Sequence, residues 1–238
     1  IVMDEHCKNT CKLYKAKKSQ TMMDASSMED EFMDFLVNNR QPLNLGELYN
    51  QDFPIYPGEV VIVQAPPKSM KTMLLQNWVN SFKRPTYFME MEMSPRQIWS
   101  RFVMIEMGWN DDQLREHYAQ MQRGMNEKFD WLTVEYSACH PYELEKRLSL
   151  LPVKPEIVVV DHLGLLRSKQ RDNNMKVEEA SQALMELAVQ HKLIVFAVSE
   201  ITKSAFHEGM DLASSKGSFR IAYNANKVLS ITPYKNED

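Results

Sequence analysis

The chain has 238 residues, 44% hydrophobic and 25% charged, with 28 Lys and Arg against 32 Asp and Glu for a formal net charge of -4. That length carries one large α/β domain with a small appendage, and no apolar run approaches the ~20 residues of a membrane span. Three cysteines, Cys7, Cys11 and Cys139, exclude a disulfide scaffold and fit a reducing compartment; mild acidity leaves nucleic-acid binding open wherever basic residues cluster.

Residues 1–40 read as an N-terminal tail and a short linker helix, and residues 41–238 as the main domain. Ile1 to Lys18 is polar and lysine-rich, without the apolar stretch of a secretory leader. His6, Cys7 and Cys11 have a spacing that zinc accepts, but further ligands are not evident nearby, so no zinc site is expected. Glu29 to Asn38 has Phe32, Phe35 and Leu36 on one helical face. Because the chain starts at Ile1 rather than Met, it reads as a piece of a longer one.

Leu43 to Tyr56 is mixed and turn-rich, and Pro57-Gly58 marks a turn. Strands are then expected at Val60–Gln64, Thr86–Met91, Trp131–Tyr136, Ile157–Asp161, Leu193–Ser199 and Lys227–Ile231. Helices are expected at Thr72–Phe82, from Pro95 (capped by Ser94) to about Met107, at Pro141–Leu150 and at Val177–His191, with Gly108–Asp130 helical in part. Strands alternating with helices predict an α/β fold, a mostly parallel twisted sheet covered on both faces.

Between the first of these strands and the helix after it lies Ala65-Pro66-Pro67-Lys68-Ser69-Met70-Lys71-Thr72. A phosphate-binding loop reads G-x-x-x-x-G-K-[ST] in this strand–loop–helix setting, aiming backbone N–H groups, a lysine and a Mg²⁺-holding hydroxyl at phosphates. Lys71-Thr72 fits, but Ala65 and Met70 replace both glycines, so an ordinary strand-to-helix loop with an exposed lysine fits too. Ile157 to Val160, four apolar β-formers, ends on Asp161, placing a carboxylate at the carboxyl end of a strand, where ligands of parallel sheets gather. It suits Mg²⁺, or simply caps the next segment.

Several segments, in order, resemble the C-terminal ATPase domain of replicative helicases of the DnaB type, including the helicase halves of phage primase-helicases. They are Pro57-Gly58-Glu59, Met91-Glu92-Met93-Ser94 (the family's L-E-M-S) continuing through Gln97 to Arg101, and Val160-Asp161-His162-Leu163-Gly164-Leu165-Leu166 (I-D-Y-L-Q-L-M). Glu178 to Ala188, Val198-Ser199-Glu200 (L-S-Q) and Gly217-Ser218 through Lys227 complete the set, which spans about residues 57–232.

The resemblance implies a RecA-like P-loop core that binds ATP through Ala65 to Thr72, with Mg²⁺ held by Thr72 and Asp161. Glu92 would be the general base for the attacking water. Glu200 stands where the family has a γ-phosphate-sensing glutamine, a departure that puts a carboxylate beside phosphate. Arg220, with Lys216 as the other candidate, would reach a neighbouring subunit's site as an arginine finger. Arg167, Lys169 and Arg171 after the Asp161 strand, and Lys203 and Lys216 after the Glu200 strand, would contact single-stranded DNA phosphates.

The same resemblance implies an ATP-dependent DNA helicase motor of replication, a homo-oligomeric ring with a hexamer favoured, with a primase domain or protein as a further partner. It would work in the cytoplasm of a bacterial or phage-infected cell, without membrane contact. Two alternatives stay open: a degenerate, non-catalytic nucleotide-sensing or loader protein, and a RecA- or RadA-like recombinase. The family also continues past the last core strand with another hairpin, so a longer C-terminus is expected.

Overall fold

The expected strands Val60–Gln64, Ile157–Asp161 and Leu193–Ser199 are apolar, largely β-branched runs without polar alternation, which suits the middle of a sheet buried on both faces. A computed structural model of the chain describes residues 24–37, 42–48, 51–118, 120, 124–200 and 224–231. Six strands form one all-parallel sheet: β3 (Val60–Ala65), β4 (Thr86–Glu90), β5 (Leu132–Glu135), β6 (Ile157–Asp161), β7 (Ile194–Glu200) and β8 (Lys227–Ser230). Their spatial order is β5-β4-β6-β7-β3-β8.

Period-two alternation sends neighbouring side chains to opposite faces. Ile62, Tyr87, Met89, Val158, Val160 and Val195 pack on one face with Ala180, Leu184 and Leu187 of α6 (Asn173–His191) and with Leu144 and Leu148 of α5 (Leu144–Ser149). Val61, Val63, Phe88, Val159 and Phe196 pack on the other, with Leu75 and Val79 of α2 (Lys71–Phe82) and Ile98, Phe102 and Val103 of α3 (Pro95–Met107). Phe102 sits edge-on to Phe88, 5.9 Å between ring centroids. α3 starts as expected: Ser94 and Gln97 form a reciprocal capping box with Pro95 in the first turn. α4 (Asp111–Tyr118) supplies the partial helicity expected of the polar stretch.

Element ends shift in several places, the helix expected at Pro141–Leu150 opening with a 3-10 turn over Pro141–Glu143, and three of the differences have a visible cause. Leu43–Leu48 (β1) and Gln51–Ile55 (β2) pair as an antiparallel hairpin rather than remaining irregular. The pairing is irregular between Asn44 and Glu47, where Gly46 has φ 82, and Pro54 lies in a two-stranded ribbon that leaves an outer edge; glycine and proline there resemble turn residues. α6 starts four residues earlier than Val177, because the Asp172 carboxylate accepts the N–H groups of Asn174 and Met175 at 2.7 and 3.1 Å. β4 ends at Glu90 rather than Met91, and the reason lies in the candidate site.

The helix α1 (Ala25–Val37) belongs to a separate unit that ends at Pro42, and everything from Leu43 onward belongs to a second. Asp24 opens α1 by accepting the Ser27 N–H at 2.8 Å, and Met28, Phe32 and Leu36 are exposed along it. Among the described residues no helix is long and apolar enough to cross a membrane.

Candidate nucleotide site

Parallel register brings the carboxyl ends of β3, β4, β6 and β7 to one edge of the sheet, pairing Ala65 with Glu200 and Glu90 with Asp161. The loop from Pro66 to Met70 leaves β3 there and enters α2 at Lys71. Ala65 is buried, ends its strand and has no left-handed backbone angle, so its methyl group is no obstacle to this conformation. Met70 differs: it occupies the left-handed region at φ 59, ψ 25, and Lys68 joins it at φ 66. The second glycine position of the motif therefore demands the backbone that glycine adopts freely, and methionine adopts it at a cost of about 1–2 kcal/mol. Met70 is 73% exposed. Ser69 closes the loop by donating its hydroxyl to the Pro66 carbonyl at 2.6 Å; Pro67 and Lys68 are exposed.

Lys71 is buried inside this loop. Its Nζ donates to the carbonyls of Ala65 (3.3 Å) and Pro66 (3.1 Å) and pairs with Glu200 Oε1 at 3.2 Å. The lysine side chain is 8% exposed and the glutamate 40%. Next to it, the Thr72 hydroxyl donates to Asp161 Oδ2. A threonine hydroxyl and one carboxylate make an oxygen donor set with few protein ligands, and among the described residues no cluster of three or more His, Cys, Asp or Glu could cage an ion. That set fits Mg²⁺, which keeps waters and is carried largely by substrate phosphates, better than an ion needing a full protein cage.

Two carboxylates come next, on β4 and just beyond it. Glu90 points inward and is 1% exposed. Its Oε1 accepts the backbone N–H groups of Glu92 (2.8 Å) and Met93 (3.0 Å), while Oε2 has no hydrogen-bond partner. Those two bonds turn the chain out of the ladder, which is why β4 stops at Glu90 and Glu92 stands in the turn beyond the strand end. Burial pushes the Glu90 carboxyl above the ordinary range, against the opposing pull of the two N–H groups. The Glu92 side chain is exposed and its Oε1 lies 3.1 Å from His162 Nε2. Sequence reading singles out neither Glu90 nor His162 for a site role: Glu90 shares its strand face with Glu92, and it is the register pairing Glu90 with Asp161 that marks it as the buried acid.

Burial raises the Asp161 carboxyl to about 6, the Thr72 hydroxyl opposing the rise and the neighbouring Glu90 and Glu92 charges adding to it. The folded chain thus holds this proton to a higher pH than the unfolded chain, where an aspartate titrates near 3.8. Stability from this group is fully present below about pH 4 and is lost as pH rises through about 6. Unfolding with a chelator present is expected to show the parent losing, relative to Asp161→Asn, on the order of 3 kcal/mol between about pH 4 and pH 7. Asparagine still accepts the Thr72 hydroxyl but has no charge to desolvate, so equal pH dependence in the two chains would overturn this assignment.

Arg167, Lys169 and Arg171 are exposed in the segment between β6 and α6, which opens from the same carboxyl edge. Arg220, Lys203 and Lys216 lie outside the described residues, as do His6, Cys7 and Cys11. The structure thus pairs Lys71 with Glu200 and Thr72 with Asp161, and sets Glu92 against His162, the residue after Asp161.

The family model for the DnaB-like helicase C-terminal domain matches residues 54–213. Two curated relatives are replicative DNA helicases DnaB. The one from Buchnera aphidicola is 24% identical over 176 residues (66% of this chain, 38% of the relative), and the one from Treponema pallidum 25% over 198 residues (75% and 44%). The chain therefore spans about two fifths of the length of these relatives. Among solved structures, an isolated ATPase domain superposes with a TM-score of 0.67 at 13% identity, covering 91% of this chain and 87% of that one. A DnaB-like replicative helicase studied with primase superposes at 0.63 and 15% identity, covering 96% and 61%. Similarity at this identity speaks for the fold, an α/β RecA-like core.

Proposed function

Since the chain belongs to the family of DnaB-like helicase C-terminal domains, we propose that it is the ATP-hydrolysing motor of a replicative DNA helicase, moving on single-stranded DNA. The observation that carries this reading is the convergence of Lys71 Nζ with the Thr72–Asp161 pair at one carboxyl edge of a parallel sheet. The α2 N-terminus and Lys71 would bind the β- and γ-phosphates of ATP. Thr72 and Asp161 would hold Mg²⁺, which supplies charge neutralisation on the phosphate oxygens. Glu92 would take a proton from water as the water oxygen bonds to the γ-phosphorus and the bond to the bridging oxygen breaks, ADP leaving with the electron pair.

The exposed Arg167, Lys169 and Arg171 would touch DNA phosphates, joined by Lys203 and Lys216. Arg220 would complete a neighbouring subunit's site in a homo-oligomeric ring, with a hexamer favoured, and a primase domain or protein would be a further partner in the cytoplasm. ATP hydrolysis measured with and without single-stranded DNA tests this reading. The parent chain is expected to show DNA-stimulated turnover, and Lys71→Ala to lose at least about 10²-fold of it.

A second reading, a nucleotide-sensing RecA-fold protein without turnover, is favoured by two observations: the non-glycine residue at the left-handed Met70 position and the carboxylate of Glu200 on the phosphate-binding lysine. It expects Mg·ATP to raise the melting temperature, as linkage requires of a binder, with no hydrolysis even at concentrations where rings assemble. That result would overturn the motor.

A further inference from the structure

His162 is the residue after Asp161, at a position where the DnaB-type motif I-D-Y-L-Q-L-M has tyrosine. Its ring is held from two sides. Nδ1 accepts the Gly164 backbone N–H at 3.2 Å, so that nitrogen presents its lone pair. The neutral imidazole then carries its proton on Nε2, which lies 3.1 Å from Glu92 Oε1. Gly164 permits this fit: a Cβ there would stand 3.1 Å from His162 Cε1 and 3.2 Å from Nδ1.

The two partners differ in freedom. The His162 side chain is 14% exposed, whereas that of Glu92 is 52% exposed and long enough to sample several rotamers. A contact this open adds little to stability. What it does is choose one direction for the carboxylate, leaving Oε2 as the acceptor. The other end of Glu92 is held too, by the bonds from its own N–H and that of Met93 to the buried Glu90.

We propose that His162 is a positioning residue for Glu92, its Nε2–H holding the carboxylate in the direction from which it takes the proton of the attacking water. This rests on the reading of Glu92 as general base. The test is single-turnover hydrolysis of Mg·ATP by the full chain and by His162→Phe, His162→Gln, Glu92→Gln and the double variant His162→Phe/Glu92→Gln, with melting temperatures alongside. Phenylalanine keeps the ring and loses both nitrogens; glutamine keeps one acceptor and one donor.

His162→Phe is expected to slow the chemical step about tenfold with KM for ATP within about twofold, because misdirecting a catalytic group costs rate rather than binding. His162→Gln is expected to recover most of the rate, and His162→Phe to have no further effect once Glu92 is glutamine. Parent rates in His162→Phe would overturn the proposal, as would equal losses in the Phe and Gln variants or an undiminished effect in the double variant. Full activity in Glu92→Gln would instead overturn the reading of Glu92 itself, a separate outcome.

Discussion

Glu92→Gln is expected to slow single-turnover ATP hydrolysis by about 10²- to 10⁴-fold, the usual worth of a positioned general base. Glutamine matches the shape of glutamate and still accepts the His162 Nε2–H, but it cannot take a proton from water at neutral pH. Binding of Mg·ATP should stay within about threefold, since on the proposed reading ground-state contacts with the phosphates would come from Lys71 and the α2 N-terminus. A stopped-time assay with the enzyme in excess, paired with equilibrium binding of ATP, separates the two quantities. If hydrolysis survives while Glu90→Gln abolishes it, the base is the buried carboxylate. The structure argues against that outcome, because Glu90 spends Oε1 on two backbone N–H groups and lies 1% exposed behind the turn.

Glu200→Gln is expected to tighten Mg·ATP binding by about tenfold, or about 1.4 kcal/mol. A lysine ammonium has three N–H donors, and three acceptors surround Lys71: the Ala65 carbonyl, the Pro66 carbonyl and Glu200. The carbonyls belong to the loop, so phosphate competes chiefly with the Glu200 side chain, and a carboxylate left beside the phosphates repels them. Glutamine keeps the reach and removes the charge. Since Glu200 is 40% exposed, solvent screens much of the repulsion, and the gain should shrink as salt is raised. Calorimetric titration at low and high salt reads both effects. Weaker binding would mean that Glu200 helps hold the nucleotide, through a bridging cation, and unchanged binding that its charge does not act on the phosphates.

Much of the fold is legible in the chain because buried parallel strands leave a coarse signal. Val60 to Val63 and Ile157 to Val160 are continuous apolar runs, and the Ser94-Pro95 start of α3 carries its own capping chemistry. The hairpin of β1 and β2 is not legible, since Gly46 at its irregular register and Pro54 on a free edge look like turn residues until the pairing partner is known. Lys71, Thr72 and Asp161 can be picked out by type and order. Ala65 is the smaller departure from the loop motif and Met70 the larger, and backbone angles add the reason: of the two, only Met70 needs the left-handed region.

Hydrophobic periodicity and short contiguous motifs are local properties of a chain, and here they suffice for the class of fold and the family, and they single out Lys71 and Thr72 as candidates. How the acids divide their work is a matter of long-range packing instead. Glu90 and Glu92 are equivalent on a period of two; pairing of Glu90 with Asp161 buries one and leaves the other in the turn. Glu200 meets Lys71 across 129 residues, and Thr72 meets Asp161 across 89. Such contacts depend on strand order and register, and no local pattern in a chain encodes the distance between side chains that the sheet alone brings together.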